Sequence, residues 1–250
     1  MTDVPRRIGI GDALLAASAL LIGPVALLLL VAFLVGIDLS LVSLATSDTT
    51  RLLFDGGLCL LFFVQHSVML RRSFRSWLAR ALDPRRHAAL YAVASGVALA
   101  ALVLLWQRTG EPLYEIAGAL RWILHGVQLL ALSSTLWAWQ ALGLFDPLGV
   151  TSLKRGVDLP LAPLTERGPY RWVRHPLYFA FLVATWAVPV LTTDRLLFNV
   201  LWTVWIVVGC LLEERDLVAA HGDVYRAYRR RVPMLIPRPR SGPHSGRSPA

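Results

Sequence analysis

The chain has 250 residues, of which 56% are hydrophobic, and its mean hydropathy of +0.56 excludes an ordinary water-soluble domain. A net charge of +9 invites a nucleic-acid reading, but no folded basic domain exists to carry one. Two cysteines, Cys59 and Cys210, are too few for a disulfide framework or a thiolate metal site.

Apolar runs long enough to span a bilayer, about 20 residues for a helix, occur near 12–35, 52–70, 88–106, 119–141, 177–192 and 196–212. Only helices or closed barrels satisfy their backbone polar groups in lipid, and no period-two alternation suggests a barrel. The predicted fold is therefore all-α: a polytopic membrane protein of about six transmembrane helices. The first run has no small-residue cleavage site and reads as a retained helix, kinked at Gly23-Pro24.

The second helix carries Gln65-His66-Ser67 about one turn from its end. Polar groups inside a span normally face a bundle interior or a wet cavity; the same three would also serve at the headgroup boundary. Arg71 to Arg86 follows as a basic connector, with Phe74, Trp77 and Leu78 on its apolar side, suited to lying on the membrane surface. The fourth helix holds His125, expected to bond a neighbouring helix. From Gly143 to Pro176 helical periodicity stops, Phe145-Asp146-Pro147-Leu148-Gly149 reads as a turn, and Pro160, Pro163 and Pro169 favour extended chain.

Residues 167–178, Arg-Gly-Pro-Tyr-Arg-Trp-Val-Arg-His-Pro-Leu-Tyr, concentrate Arg167, Arg171, Arg174, His175 and Tyr178 between two apolar runs. No segment needs such a sequence merely to cross a bilayer; it suits a site for a charged small molecule. Thr192-Thr193-Asp194 turns the chain back, so the last span ends at Glu213-Glu214 on the side of that hairpin. Beyond it, Glu214, Val218, His221, Tyr225, Tyr228 and Val232 share one face of a C-terminal amphipathic helix, with Arg215, Arg226, Arg229 and Arg230 mostly off it and Gly222 as a possible bend. The Pro, Ser, Gly and Arg tail over 238–250 reads as disordered, leaving one membrane domain over 1–237.

With the N-terminus inside, the inner segments carry 21 of the 25 Lys and Arg, and the outside keeps Arg51, Arg108, Arg121 and Arg195. That asymmetry follows the positive-inside rule and places both termini and the hairpin in the cytoplasm. The hairpin and Glu213-Glu214 together offer cations for a carboxylate, carboxylates for an ammonium or ribose hydroxyls, and aromatic faces for a sulfonium. S-adenosylmethionine has all these features. The acids would equally serve as interfacial anchors paired with Arg215 or the loop arginines.

Arg174-His175-Pro176-Leu177-Tyr178, then Glu213-Glu214 and Tyr225-x-x-Tyr228 before Val232-Pro233, resemble the signature of the isoprenylcysteine carboxyl methyltransferase superfamily. Phe54-Asp55-Gly56, Gln65-His66-Ser67-Val68-Met69 and Gly168-Pro169-Tyr170-Arg171 are most similar to its methanethiol S-methyltransferase and NnrU-type branch. The likeness spans roughly residues 50–237. It implies S-adenosyl-L-methionine bound within 165–237, a small thiol as the other substrate, membrane lipid as the surrounding partner, and neither metal nor nucleic acid. It further implies that Tyr170, His175, Pro176, Tyr178, Glu213, Glu214 and Tyr225 form the cofactor site, with His66, Arg171, Arg174 and His175 as catalytic candidates. Either His66 or His175 would accept the thiol proton. Phe145-Asp146-Pro147-Leu148-Gly149 departs from the family's usual Phe-Gly-Leu-Arg-Gln stretch, which bears on the acceptor. Methylation of a prenylcysteine carboxylate, sterol reduction and a non-enzymatic NnrU-type membrane role are the competing expectations.

Overall fold

The computed structural model describes residues 9–44, 46–143, 146–155 and 164–238. The disordered tail expected from residue 238 therefore lies almost wholly outside the described residues, as do Phe145, Pro160 and Pro163. In chain order the helices are α1 (Ile10–Leu34), α2 (Asp48–Leu70), α3 (Arg72–Leu78), α4 (His87–Leu104), α5 (Gly118–Leu142), α6 (Val150–Arg155), α7 (Pro176–Trp186) and α8 (Thr193–Arg231). Ser47 starts α2 by accepting a bond from the Thr50 amide, satisfying one of the unpaired donors of its first turn.

Among the described residues, four helical stretches are long and apolar enough to cross a membrane: α1, α2, α4 with the 3-10 turn ahead of it, and α8. Much of their apolar surface faces outward, with Leu28 68% and Leu61 65% exposed. Soluble proteins rarely present so large an apolar surface, and lipid is what covers it. The protein is an integral membrane protein. α5 matches α1 in length at 25 residues, but Arg121, His125, Gln128, Ser133, Ser134 and Gln140 dilute its apolar character.

The span expected over 177–192 is shorter than its sequence suggested. α7 has 11 residues, about 16 Å at 1.5 Å per residue, against about 30 Å of hydrocarbon. Pro189 cannot continue the helix, and the chain then forms a strand, β2 (Val190–Thr192), antiparallel to β1 (Pro112–Glu115). The segment between Gly143 and Pro176 is likewise more structured than expected, holding α6 and a 3-10 turn over Gly168–Arg171.

An aromatic centre joins α1, α2, α4 and α8, built from Phe33, Phe62, Phe63, Phe198 and Trp202, with Trp106 just beyond α4. Phe63 stacks on Trp205 at 4.5 Å and Phe62 on Trp202 at 5.2 Å; such pairs add about 0.5–1.5 kcal/mol beyond their burial. Among the described residues, His125 forms no hydrogen bond to a neighbouring helix. It meets Gln128 on its own helix, and Gln128 donates 3.1 Å bonds to Leu34 O and Ala184 O, tying α5 to α1 and α7.

The two ends of the bundle are joined separately. At one end the buried carboxylate of Asp194 accepts from Trp106 Nε1 at 2.9 Å and from Thr109 Oγ1 at 2.7 Å, beside the β1–β2 ribbon. At the other, Asp12 pairs with Arg85 at 2.8 Å and Arg86 at 2.6 Å. Segments with few basic residues meet at the first end and arginine-rich segments at the second.

Candidate active site

The hairpin before α7 is shaped by its prolines. Gly168 adopts φ +56° and opens the 3-10 turn with Pro169 in its first positions. Pro176 occupies the first turn of α7, where its missing N–H costs nothing. Between them the Arg174 amide donates to Pro233 O at 2.9 Å and the His175 amide to Met234 O at 3.1 Å. The hairpin is thus laced to the chain that leaves α8.

Gly222 breaks α8 with φ +57° and ψ −129°, a conformation that suits glycine alone. The kink returns the end of α8 to the hairpin. Tyr228 Oη donates to Tyr170 O at 2.7 Å, and Arg231 binds both oxygens of Glu166 at 3.0 Å. Tyr170 is buried behind this contact.

Glu214 lies at the centre, and its side chain is only 3% exposed. Arg174 Nε and Nη2 both reach its Oε1 at 2.5 Å, Arg229 Nε lies 3.2 Å from its Oε2, and His175 Nε2 lies 3.5 Å from Oε1. The Arg174 Nη1 donates to Arg229 O and Val232 O, capping carbonyls at the end of α8. Glu213 differs from its neighbour: 46% exposed, it sits 3.8 Å from His175 Nδ1 and accepts from Tyr178 Oη at 3.2 Å. The His175 and Tyr178 rings stack at 5.6 Å. Burial pushes the His175 imidazole below its ordinary 6.5, with Glu213 and Glu214 drawing it partly back.

Arg174, His175, Tyr178, Glu213 and Glu214 therefore meet within one cluster, and Tyr225 is buried beside it with its hydroxyl near Arg174. Pro176 sets the start of α7, and Arg171 lies exposed at the end of the 3-10 turn. His66 occupies a second polar cluster at membrane depth. Its Nε2 lies 2.7 Å from Tyr91 Oη on α4, and its ring packs on Phe62 and Trp205. Gln65 reaches Ser95 at 3.4 Å, and Trp205 Nε1 donates to Ser67 at 3.2 Å. Among the described residues, His66 forms no hydrogen bond or ring contact with the hairpin; Tyr178 lies within electrostatic range of Tyr91.

Two functional candidates escape the sequence reading. Arg229 falls off the apolar face of an ideal helix, and only the break at Gly222 turns it toward Glu214. Tyr91 announces itself only through the antiparallel pairing of α2 with α4. A cleft of about 250 Å³ lies between α5 and α7, lined by Val127, Leu130, Ala131, Phe179, Ala180 and Val183.

The NnrU protein family matches residues 56–231, most of the chain. The chain belongs to the NnrU family. This NnrU-family chain is 36% identical over 181 residues to methanethiol S-methyltransferase 2 of Bradyrhizobium diazoefficiens, covering 71% of this chain and 70% of that one. It is 37% identical over 187 residues to the methanethiol S-methyltransferase of Mycobacterium tuberculosis, covering 71% and 75% of the two chains. Nurim of Sus scrofa is 29% identical over 203 residues, covering 76% and 75%. No solved structure matches the chain.

Proposed function

We propose that this protein is an S-adenosylmethionine-dependent membrane S-methyltransferase that converts a small thiol, methanethiol, to its methyl thioether, dimethyl sulfide. The observation that carries this reading is the buried Glu214 held beside His175 at the meeting point of α7 and α8, in a chain whose relatives bear that enzyme name. The residues fit the donor. His175 Nε2, 3.5 Å from Glu214 Oε1, and Tyr225 Oη, beside Arg174, are buried without a well-aligned hydrogen bond among the described residues, and such groups cost free energy unless something satisfies them. Glu213 adds a half-exposed carboxylate, and His175 with Tyr178 adds stacked ring faces.

In this assignment Glu213 and Glu214 hold the donor's ammonium or ribose hydroxyls, His175 and Tyr178 hold its methionine part, and Tyr225 walls the site over Tyr170. Pro176 fixes the hairpin that presents them. Arg174 positions Glu214, its three nitrogens being taken up within the protein, and Arg171 guards the exposed edge. When bound there, S-adenosylmethionine supplies a methyl group on a cationic sulfur that becomes a neutral thioether. His66 accepts the thiol proton as the new carbon–sulfur bond forms. Its aromatic, uncharged surroundings suit an apolar acceptor, and the cleft between α5 and α7 offers that acceptor a way in from lipid. Much of the acceleration comes from holding donor and acceptor about 3–3.5 Å apart and aligned.

The full arrangement is six spans, α5 and the short α7 completing the bundle, in a bacterial inner membrane. With the N-terminus inside, the inner segments of the sequence carry 21 of its 25 basic residues, which supports a cytoplasmic site. The test is radiolabelled S-adenosylmethionine binding to the purified protein, followed by headspace detection of dimethyl sulfide after methanethiol is supplied. Glu214→Ala and His175→Ala are expected to abolish methyl transfer, measured on the fraction of each variant that purifies folded. Full activity in either variant refutes the site.

A further inference from the structure

Two arginines touch Glu214, and they are used very differently. Arg174 is 8% exposed and spends all three of its nitrogens on protein groups: Nε and Nη2 on Glu214, Nη1 on the carbonyls of Arg229 and Val232. Arg229 is 45% exposed and touches Glu214 through Nε alone, at 3.2 Å. Among the described residues nothing pairs with its two Nη groups. A guanidinium anchored at Nε presents its Nη side as a planar fork, the geometry that grips a carboxylate through two parallel bonds.

We infer that Arg229 binds the α-carboxylate of the methyl donor. This rests on the S-adenosylmethionine reading. The charges are matched: Glu213 and Glu214 face the ammonium of the donor's amino-acid end while Arg229 faces its carboxylate, so both charges of a zwitterion are read by adjacent groups. Arg229 stays in place through two anchors, its Nε on Glu214 and its own carbonyl, which accepts from Arg174 Nη1 at 3.1 Å. Its side chain points from the last turns of α8, which Tyr228 and Arg231 hold against the hairpin. The fork is thus preorganised, and little conformational freedom remains to be lost on binding.

The experiment compares S-adenosylmethionine with decarboxylated S-adenosylmethionine, which keeps the nucleoside, the sulfonium and the amine. Equilibrium binding is measured on the purified full-length protein in detergent. The natural protein is expected to bind the carboxylated donor at least tenfold more tightly. Arg229→Gln removes that preference: affinity for S-adenosylmethionine falls at least tenfold, and affinity for the decarboxylated compound stays within about twofold. Arg229→Lys, which keeps the charge and loses the fork, lies between. Equal losses for both ligands in Arg229→Gln mean that Arg229 only supports Glu214 and overturn the assignment. So does an unchanged preference, or its loss in Arg171→Gln instead. A natural protein that binds neither compound overturns the donor reading itself, a result distinct from the other two.

Discussion

Arg174 and Glu214 form the tightest ion pair of the candidate site, two guanidinium nitrogens meeting one carboxylate oxygen at 2.5 Å with both side chains under a tenth exposed. Removing one member of a buried pair leaves the other charge unmatched and costs about 3–5 kcal/mol. Arg174→Ala also frees the carbonyls of Arg229 and Val232, so its thermal midpoint in detergent is expected to fall by more than that of Glu213→Gln. The double variant Arg174→Met with Glu214→Leu removes both charges and is expected to recover much of the lost midpoint while binding no donor. A double variant as unstable as Arg174→Ala contradicts the pairing as the source of the cost.

The burial of His175 makes stability depend on pH in a definite direction. Its folded-state pKa lies below the ordinary 6.5 because burial disfavours the imidazolium more than Glu213 and Glu214 favour it. As pH falls through 6.5 the unfolded chain takes up a proton that the folded chain resists, so stability declines on acidification and is level above that window. Thermal midpoints recorded from pH 7.5 to pH 5.5 are expected to fall, and to fall less steeply in His175→Asn. Equal slopes in the two proteins remove His175 from the account.

Gly149 packs against the start of α4 so closely that a Cβ there would lie 2.2 Å from Ala89 N, and its φ is +67°. Gly149→Ala therefore combines backbone strain with overlap against main chain that cannot move aside, a loss expected to exceed about 2 kcal/mol. Gly222 shares the positive φ, yet nothing lies within 4 Å of its added Cβ. Gly222→Ala is expected to lose only the strain, about 1–3 kcal/mol, and with it the approach of Arg229 to Glu214. Thermal melts of the two variants, with donor binding measured for Gly222→Ala, separate a packing glycine from a hinge glycine.

The grouping of His175, Tyr178, Glu213 and Glu214 was legible in the sequence because topology is coarse. Two spans with a turn between them return to the same side, whatever their exact lengths. The length of α7 was not legible: Val190–Thr192 is apolar and reads as more helix until its partner strand at Pro112–Glu115 is known. Arg174 and Arg229 were equally hard to separate. Both are arginines near a double glutamate, and only the direction taken after Gly222 shows which has nitrogens to spare. Polar groups at membrane depth were easier, since Gln65-His66-Ser67 stands out against an apolar run, but their partners Tyr91 and Trp205 look like ordinary aromatic filling.

The pairing of His66 with Tyr91 gives the last test. The phenol oxygen lies 2.7 Å from Nε2 and 3.1 Å from Nδ1, so it fixes how the imidazole is oriented. Phe62 and Trp205 hold the ring from other sides, so Tyr91→Phe keeps the packing and removes a single hydroxyl. If His66 accepts the thiol proton, Tyr91→Phe is expected to lower kcat for thiol methylation about tenfold or more and to shift the acid limb of its pH profile. Donor affinity should be unchanged, because no donor-holding residue touches Tyr91 through a hydrogen bond among the described residues. His66→Asn should lower kcat further, and adding Tyr91→Phe to it should cost little more, since the hydroxyl then has nothing left to orient. Independent losses that simply multiply would mean that the two side chains serve packing alone.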